Sequence, residues 1–377
     1  MSRGLPIVLG FFALLTWRPA AAADVVISAR NGTDVAEHME SIGFGDIREH
    51  PELLQAVPRF WVPKVPETEV ADWSRDVQLR KSVFIRLGIS AALQANAKIL
   101  ADRERMLAID LDDMPSQDRA WLERLKKRYK VPGPVTRGAV AELKLRVDAV
   151  PVSLAVTQAA IESGWLQSRF ARQGQAVFGQ WTTSETGIKA LENDVRLAAF
   201  DNPHDSLDAY MLNLNTHGSY KPFRLARAEM RAEGKPVDGY ALAVHMEPYA
   251  QTGEHYVEQI QGIIMREGLR AADTAVLVDG PRYVYIHQPE EEPQTQIARK
   301  PDKAPAQAET SQHPQAVEQP LPLPPQIYRR PQAGWGEQPK RQWWPPVQQW
   351  GQTAPNPSAP NAQAWPGRMP QFYSGWR

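Results

Sequence analysis

The chain has 377 residues, with 43 Lys+Arg balanced against 43 Asp+Glu and no cysteine. Zero formal net charge leaves no global field to draw it to nucleic acid or a membrane surface, and the missing thiols exclude disulfides, thiolate metal sites and cysteine nucleophiles. Such a chain must be held by an ordinary apolar core, in one large or two modest domains.

Residues 1–23 begin with Arg3, continue through an apolar stretch at 5–17 and end on Ala20-Ala21-Ala22-Ala23. A positive residue, a short apolar core and a small-residue site predict a secretory signal, cleaved after Ala22 or Ala23, and hence a periplasmic or cell-envelope protein. The stretch is too short to span a bilayer comfortably, and no later run reads as apolar enough to do so. Residues 24–81 are assigned to an N-terminal extension.

Helical periodicity begins at residue 82. Phe84, Ile85, Ile89, Leu93, Leu100 and Met106 recur at helical spacing over 82–107, with Arg86, Lys98, Asp102 and Arg105 keeping the segment soluble. A second helix follows Ser116 and buries Trp121, Leu122, Leu125 and Tyr129; a third spans 136–147. Pro151 resets the chain. Ser153 is then the expected N-cap of a helix carrying Leu154, Ala155, Ala159 and Ile161, and Gly164 suits its left-handed terminus. Further helices are expected at 206–214, 222–233, 237–246 and 254–267. Strand signals are short, at 195–200 and in a hairpin of 275–278 with 283–286 about Asp279-Gly280. The predicted fold class is mainly α (α+β), a helical domain over 82–288 with a small β element.

Composition shifts at Pro289. From there to the end lie 18 of the 33 prolines and 6 of the 12 tryptophans, with few aliphatic residues. A tail of this kind cannot bury enough apolar surface to offset its ordering entropy, so 289–377 is expected to be a disordered, partly polyproline spacer. Its tryptophans are candidate contacts for glycan or for a protein or wall partner.

The stretch Ala159-Ala160-Ile161-Glu162-Ser163-Gly164-Trp165 carries the chemistry. Glu162 falls in the last turn of a helix, where the negative helix end disfavours its ionised form and apolar neighbours add desolvation. A carboxylic acid kept protonated near neutral pH can protonate a leaving glycosidic oxygen. A glutamate at a helix end can equally face water, and spacing alone leaves both readings open. His204, His217, His245 and His255 lack metal-ligand spacing and no Gly-rich phosphate loop occurs, so no metal and no cofactor is expected.

The stretch VSLAVTQAAIESGWLQSRFARQGQAVFGQ at 152–180 resembles the core of the Bax-like glucosaminidases of Gram-negative bacteria, which are related to glycoside hydrolase family 73. The similarity rests on AAIESGW with SRFAR, on VFGQW, on the block from Ala199-Phe200-Asp201 to His217, and on Tyr249-Ala250 with Tyr256. It implies a lysozyme-like helical domain with a small β-lobe. It also implies an endo-β-N-acetylglucosaminidase acting on peptidoglycan glycan strands, with Glu162 as general acid. The family's second carboxylate lies in the β-lobe, and either Glu185 or Glu192 matches it, with Glu185 in the better Thr-Thr-x-Glu context. Phe178, Gln180, Trp181, Tyr210, Tyr249 and Tyr256 are the matching candidates for substrate binding, and Asn213, Asn215 and His217 either line the cleft or cap a helix. The usual Asn-Leu-Phe-Gly is here Ala176-Val177-Phe178-Gly179, so the hydrogen bond from that asparagine is absent. Two other functions remain open: a lytic transglycosylase or muramidase using Glu162 alone, and a non-catalytic peptidoglycan-binding protein.

Overall fold

The computed structural model describes residues 23–66, 76–182, 187–189, 196–250 and 252–288. Strand β1 (Val25–Ala29) leads to helix α1 (Gly32–Ser41), which is capped by Asn31 accepting from the Asp34 N–H. A 3-10 turn (Pro51–Ala56) and strand β2 (Val57–Trp61) follow. Helix α2 (Val77–Ala108) is 32 residues long and starts at Asp76, whose carboxylate accepts from Gln78 and Leu79. Helices α3 (Ser116–Arg128), α4 (Arg137–Arg146), α5 (Val152–Ser163) and α6 (Arg169–Gly174) come next. Three two-residue strands, β3 (Trp181–Thr182), β4 (Ile188–Lys189) and β5 (Arg196–Leu197), form a small antiparallel sheet in the order β3-β5-β4. Helices α7 (Pro203–Thr216), α8 (Lys221–Ala232), α9 (Gly239–Leu242) and α10 (Glu254–Arg266) complete the bundle, and strand β6 (Leu277–His287) closes it. The mainly α class expected from sequence is the class observed. The segment expected to be one helix at 237–246 is two, with α9 passing into a 3-10 stretch (Ala243–Tyr249) that contains Pro248.

The expected hairpin at 275–286 is instead the single strand β6, central in a parallel sheet of order β1-β6-β2. Its partners lie more than 200 residues upstream, in the segment assigned to an extension, so no local pattern announces the pairing. Val57 pairs with Leu277 and Arg59 with Arg282, so Val278, Asp279, Gly280 and Pro281 face the single residue Pro58. The Asp279-Gly280 turn signal is therefore a bulge, where Pro281 has no N–H to give the ladder. Arg59 fastens it, donating to the Val278 carbonyl at 3.2 Å and to Asp279 at 3.0 Å. Beneath this sheet Phe60, Tyr283 and Tyr285 pack together and against His38 of α1, whose Nδ1 is 2.9 Å from the Tyr285 hydroxyl.

The periodicity of α2 holds for Val83, Phe84, Ile85, Ile89, Ala92, Ile99 and Met106, all buried, but Leu100 is exposed. Arg86, read as a solubilising residue, is 1% exposed and donates to the carbonyl of Phe44 at 3.0 Å. The N-terminal segment thus covers a face that composition assigned to water. Contrary to the sequence reading, α2 is long and apolar enough to cross a membrane by length and composition, but 56% of its apolar window is buried inside the protein. It serves as the core helix on which the rest packs.

Helix α5 is buried nearly all round and packs against α2, α9, α10 and the 3-10 turn Leu269–Thr274. Such a helix needs its ends satisfied from outside. Ser153 is not its N-cap: Pro151 takes that place, and the backbone N–H and hydroxyl of Ser153 both donate to Asp273 at 2.8 Å. Asp273 also accepts from the Gly239 N–H at 2.7 Å, and a Cβ at Gly239 would collide with Ser153 Oγ and come within 2.9 Å of Pro151 Cβ. A second buried carboxylate, Asp148, holds the connector before α5. It takes two hydrogen bonds of 2.7 Å from Arg231, while the fully buried Arg227 donates to the carbonyls of Leu145, Asp148 and Ala149.

Asp273→Ala strands the donors of Ser153 and Gly239 and should lower stability by about 2–4 kcal/mol in urea unfolding. Burial pushes the Asp273 carboxyl up to about 6 against the pull of its three donors. A folded pKa above the unfolded one contributes stability that is present below about 3.9 and lost as pH rises through about 6. Asp273→Asn should flatten that part of the stability–pH curve.

Candidate active site

The end of α5 is built by the residues that follow Glu162. Gly164 takes φ +58°, ψ +44°, and Trp165 and Leu166 also have positive φ, +59° and +65°. Two consecutive non-glycine residues in the left-handed region carry strain of about 1 kcal/mol or more each and persist only when overdetermined. Ser163 supplies much of that constraint: its hydroxyl donates to the Ala159 carbonyl at 2.6 Å and accepts from the Leu166 N–H at 2.9 Å. The Trp165 N–H returns to Ala160, and its ring stands edge-on to Phe84 with the Lys81 ammonium 5.0 Å above it. The Glu-Ser-Gly-Trp sequence is thus a rigid helix terminus that fixes where Glu162 stands.

Glu162 is half-buried. Its Oε1 accepts a 2.7 Å hydrogen bond from the Tyr256 hydroxyl of α10. Burial raises its carboxyl above the usual glutamate range, and the bond from Tyr256 pulls partly the other way. Behind it stands Gln158, one helical turn earlier in α5 and 0% exposed. Gln158 Nε2 donates to the Tyr256 oxygen at 3.1 Å, and Gln158 Oε1 accepts from the Tyr210 hydroxyl of α7 at 2.6 Å. Phe178 lies flat on Tyr210 with ring centroids 4.0 Å apart, Tyr249 lies parallel to Tyr256 at 5.6 Å, and the Tyr249 hydroxyl donates to the Phe178 carbonyl. Burial holds the phenols of Tyr210, Tyr249 and Tyr256 well above their ordinary pKa, so all three remain donors at neutral pH.

This arrangement redistributes the sequence candidates. Glu162, Tyr256, Tyr210, Tyr249 and Phe178 do converge. Phe178 and Tyr210, however, are 2% and 0% exposed, so neither keeps a face for stacking on a sugar; they form the floor behind the carboxyl. Tyr249 belongs to the same floor, and Tyr256 reaches the site through its hydroxyl. Gln180 is half-buried, and its carbonyl accepts from the Ala198 N–H at 2.7 Å, tying the β3 segment to β5. Trp181 opens β3; its side chain, Glu185 and Glu192 lie outside the described residues. Asn215 is a fold residue, buried and donating to the Asp148 carbonyl at 2.9 Å, while His217 closes α7 and caps the 3-10 turn after it. Gln158 is not among the sequence candidates; its signal in the sequence is a lone amide one turn before Glu162 in an apolar helix.

Among the described residues, no group of three or more His, Asp or Glu side chains is placed to hold a metal. A cavity of about 490 Å³ bordered by Phe60, Phe84, Val156, Ala159 and His204 does not include Glu162 in its lining.

The chain shows three similarities to known proteins. The family model of mannosyl-glycoprotein endo-beta-N-acetylglucosaminidase matches residues 138–269, a span that contains Glu162, Gln158, Tyr210, Tyr249 and Tyr256. Protein bax of Escherichia coli (strain K12) is 32% identical over 180 residues, 47% of this chain and 66% of the length of that relative. The catalytic domain of the autolysin Auto from Listeria monocytogenes aligns over 46% of this chain and 96% of its own, at 13% identity and a TM-score of 0.26.

A Cβ at Gly164 would meet nothing within 4 Å, so Gly164→Ala tests conformation alone. It should lower the unfolding free energy by about 1 kcal/mol and displace Glu162, reducing turnover by more than the small stability change accounts for. Thermal melts and initial rates on the same preparation check both.

Proposed function

We propose that this chain, which belongs to the Bax-like glucosaminidase-domain proteins, hydrolyses the β-1,4 glycosidic bonds of peptidoglycan on the N-acetylglucosamine side, with Glu162 as general acid. The observation that carries the proposal is the half-buried Glu162 carboxyl at a rigid helix end, raised in pKa and backed by a phenol donor, within the matched domain. Protonated Glu162 gives its proton to the bridging oxygen as the bond to the anomeric carbon breaks, and the leaving sugar departs as an alcohol. The oxocarbenium-like centre is met by a β-lobe carboxylate or by the substrate's own acetamido oxygen, and water completes hydrolysis. Tyr256 supports the carboxylate that Glu162 becomes. Export to the periplasm, motivated by Arg3, the apolar stretch and the alanine run before residue 24, belongs to the same proposal and is checked by cell fractionation.

Digestion of purified sacculi with wild type and Glu162→Gln, followed by mass spectrometry, tests the reaction. Wild type should yield fragments with reducing N-acetylglucosamine ends, and the variant should lose activity by about a hundredfold or more. Anhydro-muramic ends would assign lytic transglycosylation instead, and undiminished clearing by Glu162→Gln would remove Glu162 from the chemistry. Because the acid works protonated, kcat/KM should fall as pH rises through the Glu162 pKa, and that limb should lie above the ordinary glutamate value of about 4.3.

For the second carboxylate we favour Glu185, from its Thr-Thr-x-Glu context. Glu185→Gln should cut turnover by about a hundredfold with Glu192→Gln near wild type. The reverse pattern would transfer the role to Glu192, and two near-neutral variants would leave the substrate's acetamido group to act with Glu162.

A further inference from the structure

The sequence of hydrogen bonds behind Glu162 has a direction, and one residue sets it. We propose that Gln158 is a positioning residue that fixes which oxygen of Glu162 carries the acid proton. The inference rests on Glu162 being the acid, as proposed above, and extends that reading to a residue buried away from substrate.

A primary amide is one of the few side chains that is unambiguously acceptor at one end and donor at the other. The Gln158 carbonyl is occupied by the Tyr210 hydroxyl at 2.6 Å, and this turns its N–H toward Tyr256 at 3.1 Å. The Tyr256 oxygen therefore accepts from Gln158. A phenol has a single proton, so Tyr256 directs it to Glu162 Oε1 at 2.7 Å. An oxygen already receiving that proton is the poorer place for the carboxylic acid's own, which is left on Oε2.

The polarity also serves the step after proton transfer. When Oε2 releases its proton, negative charge spreads to Oε1, and the phenol already aimed there forms a stronger, charge-assisted bond. With the amide reversed, Tyr256 would donate to Gln158, and Glu162 would have to donate to Tyr256, turning its proton away from the substrate. Tyr210 opposes that reversal by holding the carbonyl end, and the Phe178 ring stacked on Tyr210 holds the phenol in place.

Among the described residues, the titratable groups facing Glu162 are Tyr210 of α7, Tyr220 of the 3-10 turn Gly218–Tyr220, Tyr249 of the stretch Ala243–Tyr249 and Tyr256 of α10. Burial raises all four phenols, so none titrates where the Glu162 limb is read. A displaced alkaline limb therefore reports on the acid Glu162 and not on a phenol.

The test is the pH profile of kcat/KM on solubilised peptidoglycan, using the full chain. The proteins are wild type, Gln158→Met, Tyr210→Phe, Tyr256→Phe and the Gln158→Met/Tyr256→Phe double variant, each checked for folding by thermal melt. Gln158→Met keeps the volume but frees the Tyr256 proton from its aim. It should move the alkaline limb up by about one pH unit and lower kcat about tenfold, the size expected for weakening a hydrogen bond to a charged group. Tyr256→Phe should move the limb the same way, the double variant should move it no further, and Tyr210→Phe should give a smaller shift of the same sign. Loss of rate in Gln158→Met with the limb unmoved, or shifts that add in the double variant, would reduce Gln158 to a packing residue. Should Gln158→Met not fold, Tyr210→Phe decides, since an unmoved limb there overturns the inference. Glu162→Gln runs alongside: if it keeps wild-type activity, the assignment of the acid fails, whereas an inactive Glu162→Gln with an unmoved Gln158→Met limb fails only the positioning role.

Discussion

A helix buried on nearly every side, ending in a half-buried carboxyl, is the constraint from which the rest of this domain follows. Burying α5 removes water from its backbone ends, and both must then be satisfied by protein. At the start this is done by Asp273, which gathers Ser153 and Gly239 from elements far apart in sequence. At the finish it is done by the left-handed run Gly164-Trp165-Leu166, held by Ser163 and by the packing of Trp165 on Phe84. The carboxyl between these fixed points has little freedom to leave its place beside Tyr256. Its chemistry is an outcome of how the helix is anchored.

The second requirement is a wall thick enough to keep α5 dry, and the chain builds part of it from its two ends. Strands β1 and β2, with α1, come from the first 61 residues, while β6 comes after the last helix. Their parallel pairing closes a loop of more than 200 residues, whose entropy grows only slowly with length. The sheet and α1 cover α2, and the buried Arg86 spans that contact by donating to Phe44. Removing the guanidinium would expose the Phe44 carbonyl to an apolar contact without a donor, which is why a charged residue is tolerated there.

Helices were legible in the sequence because their period is local. The expected segments at 82–107, 116 onward, 136–147 and 254–267 agree with α2, α3, α4 and α10 to within a few residues. Gly164 was legible too, since a left-handed terminus after an apolar helix selects glycine. The parallel sheet was not, because β6 finds its partners at the other end of the chain and its bulge carries the residues of a turn. The burial of Arg86 is hidden for a related reason: periodicity shows that a residue lies beside the apolar stripe, not that another segment will cover it. Within the site, Glu162 stood out as an acid in an apolar context, whereas the roles of Phe178 and Tyr210 depended on depth. A tyrosine that stacks on a sugar and one that props an amide look alike in one dimension.

The opposed influences on Glu162 bear on what the tyrosine floor is for. Desolvation alone favours the neutral acid and would leave it unwilling to part with a proton, since the anion would be stranded in an apolar site. A strongly solvated carboxyl would have the opposite fault and would arrive already ionised at neutral pH. The observed site sits between these limits, with burial raising the carboxyl and a single phenol at 2.7 Å answering the charge that appears when the proton leaves. One donor aimed at one oxygen discriminates between the two states better than general polarity would, because its bond is modest to the neutral acid and strong to the anion. Keeping that donor aimed requires the phenol to have an enforced direction, and rings stacked on both Tyr256 and Tyr210 restrict the alternatives. On the proposed chemistry, then, the buried tyrosines belong to the acid as much as Glu162 does, although substrate would touch few of them.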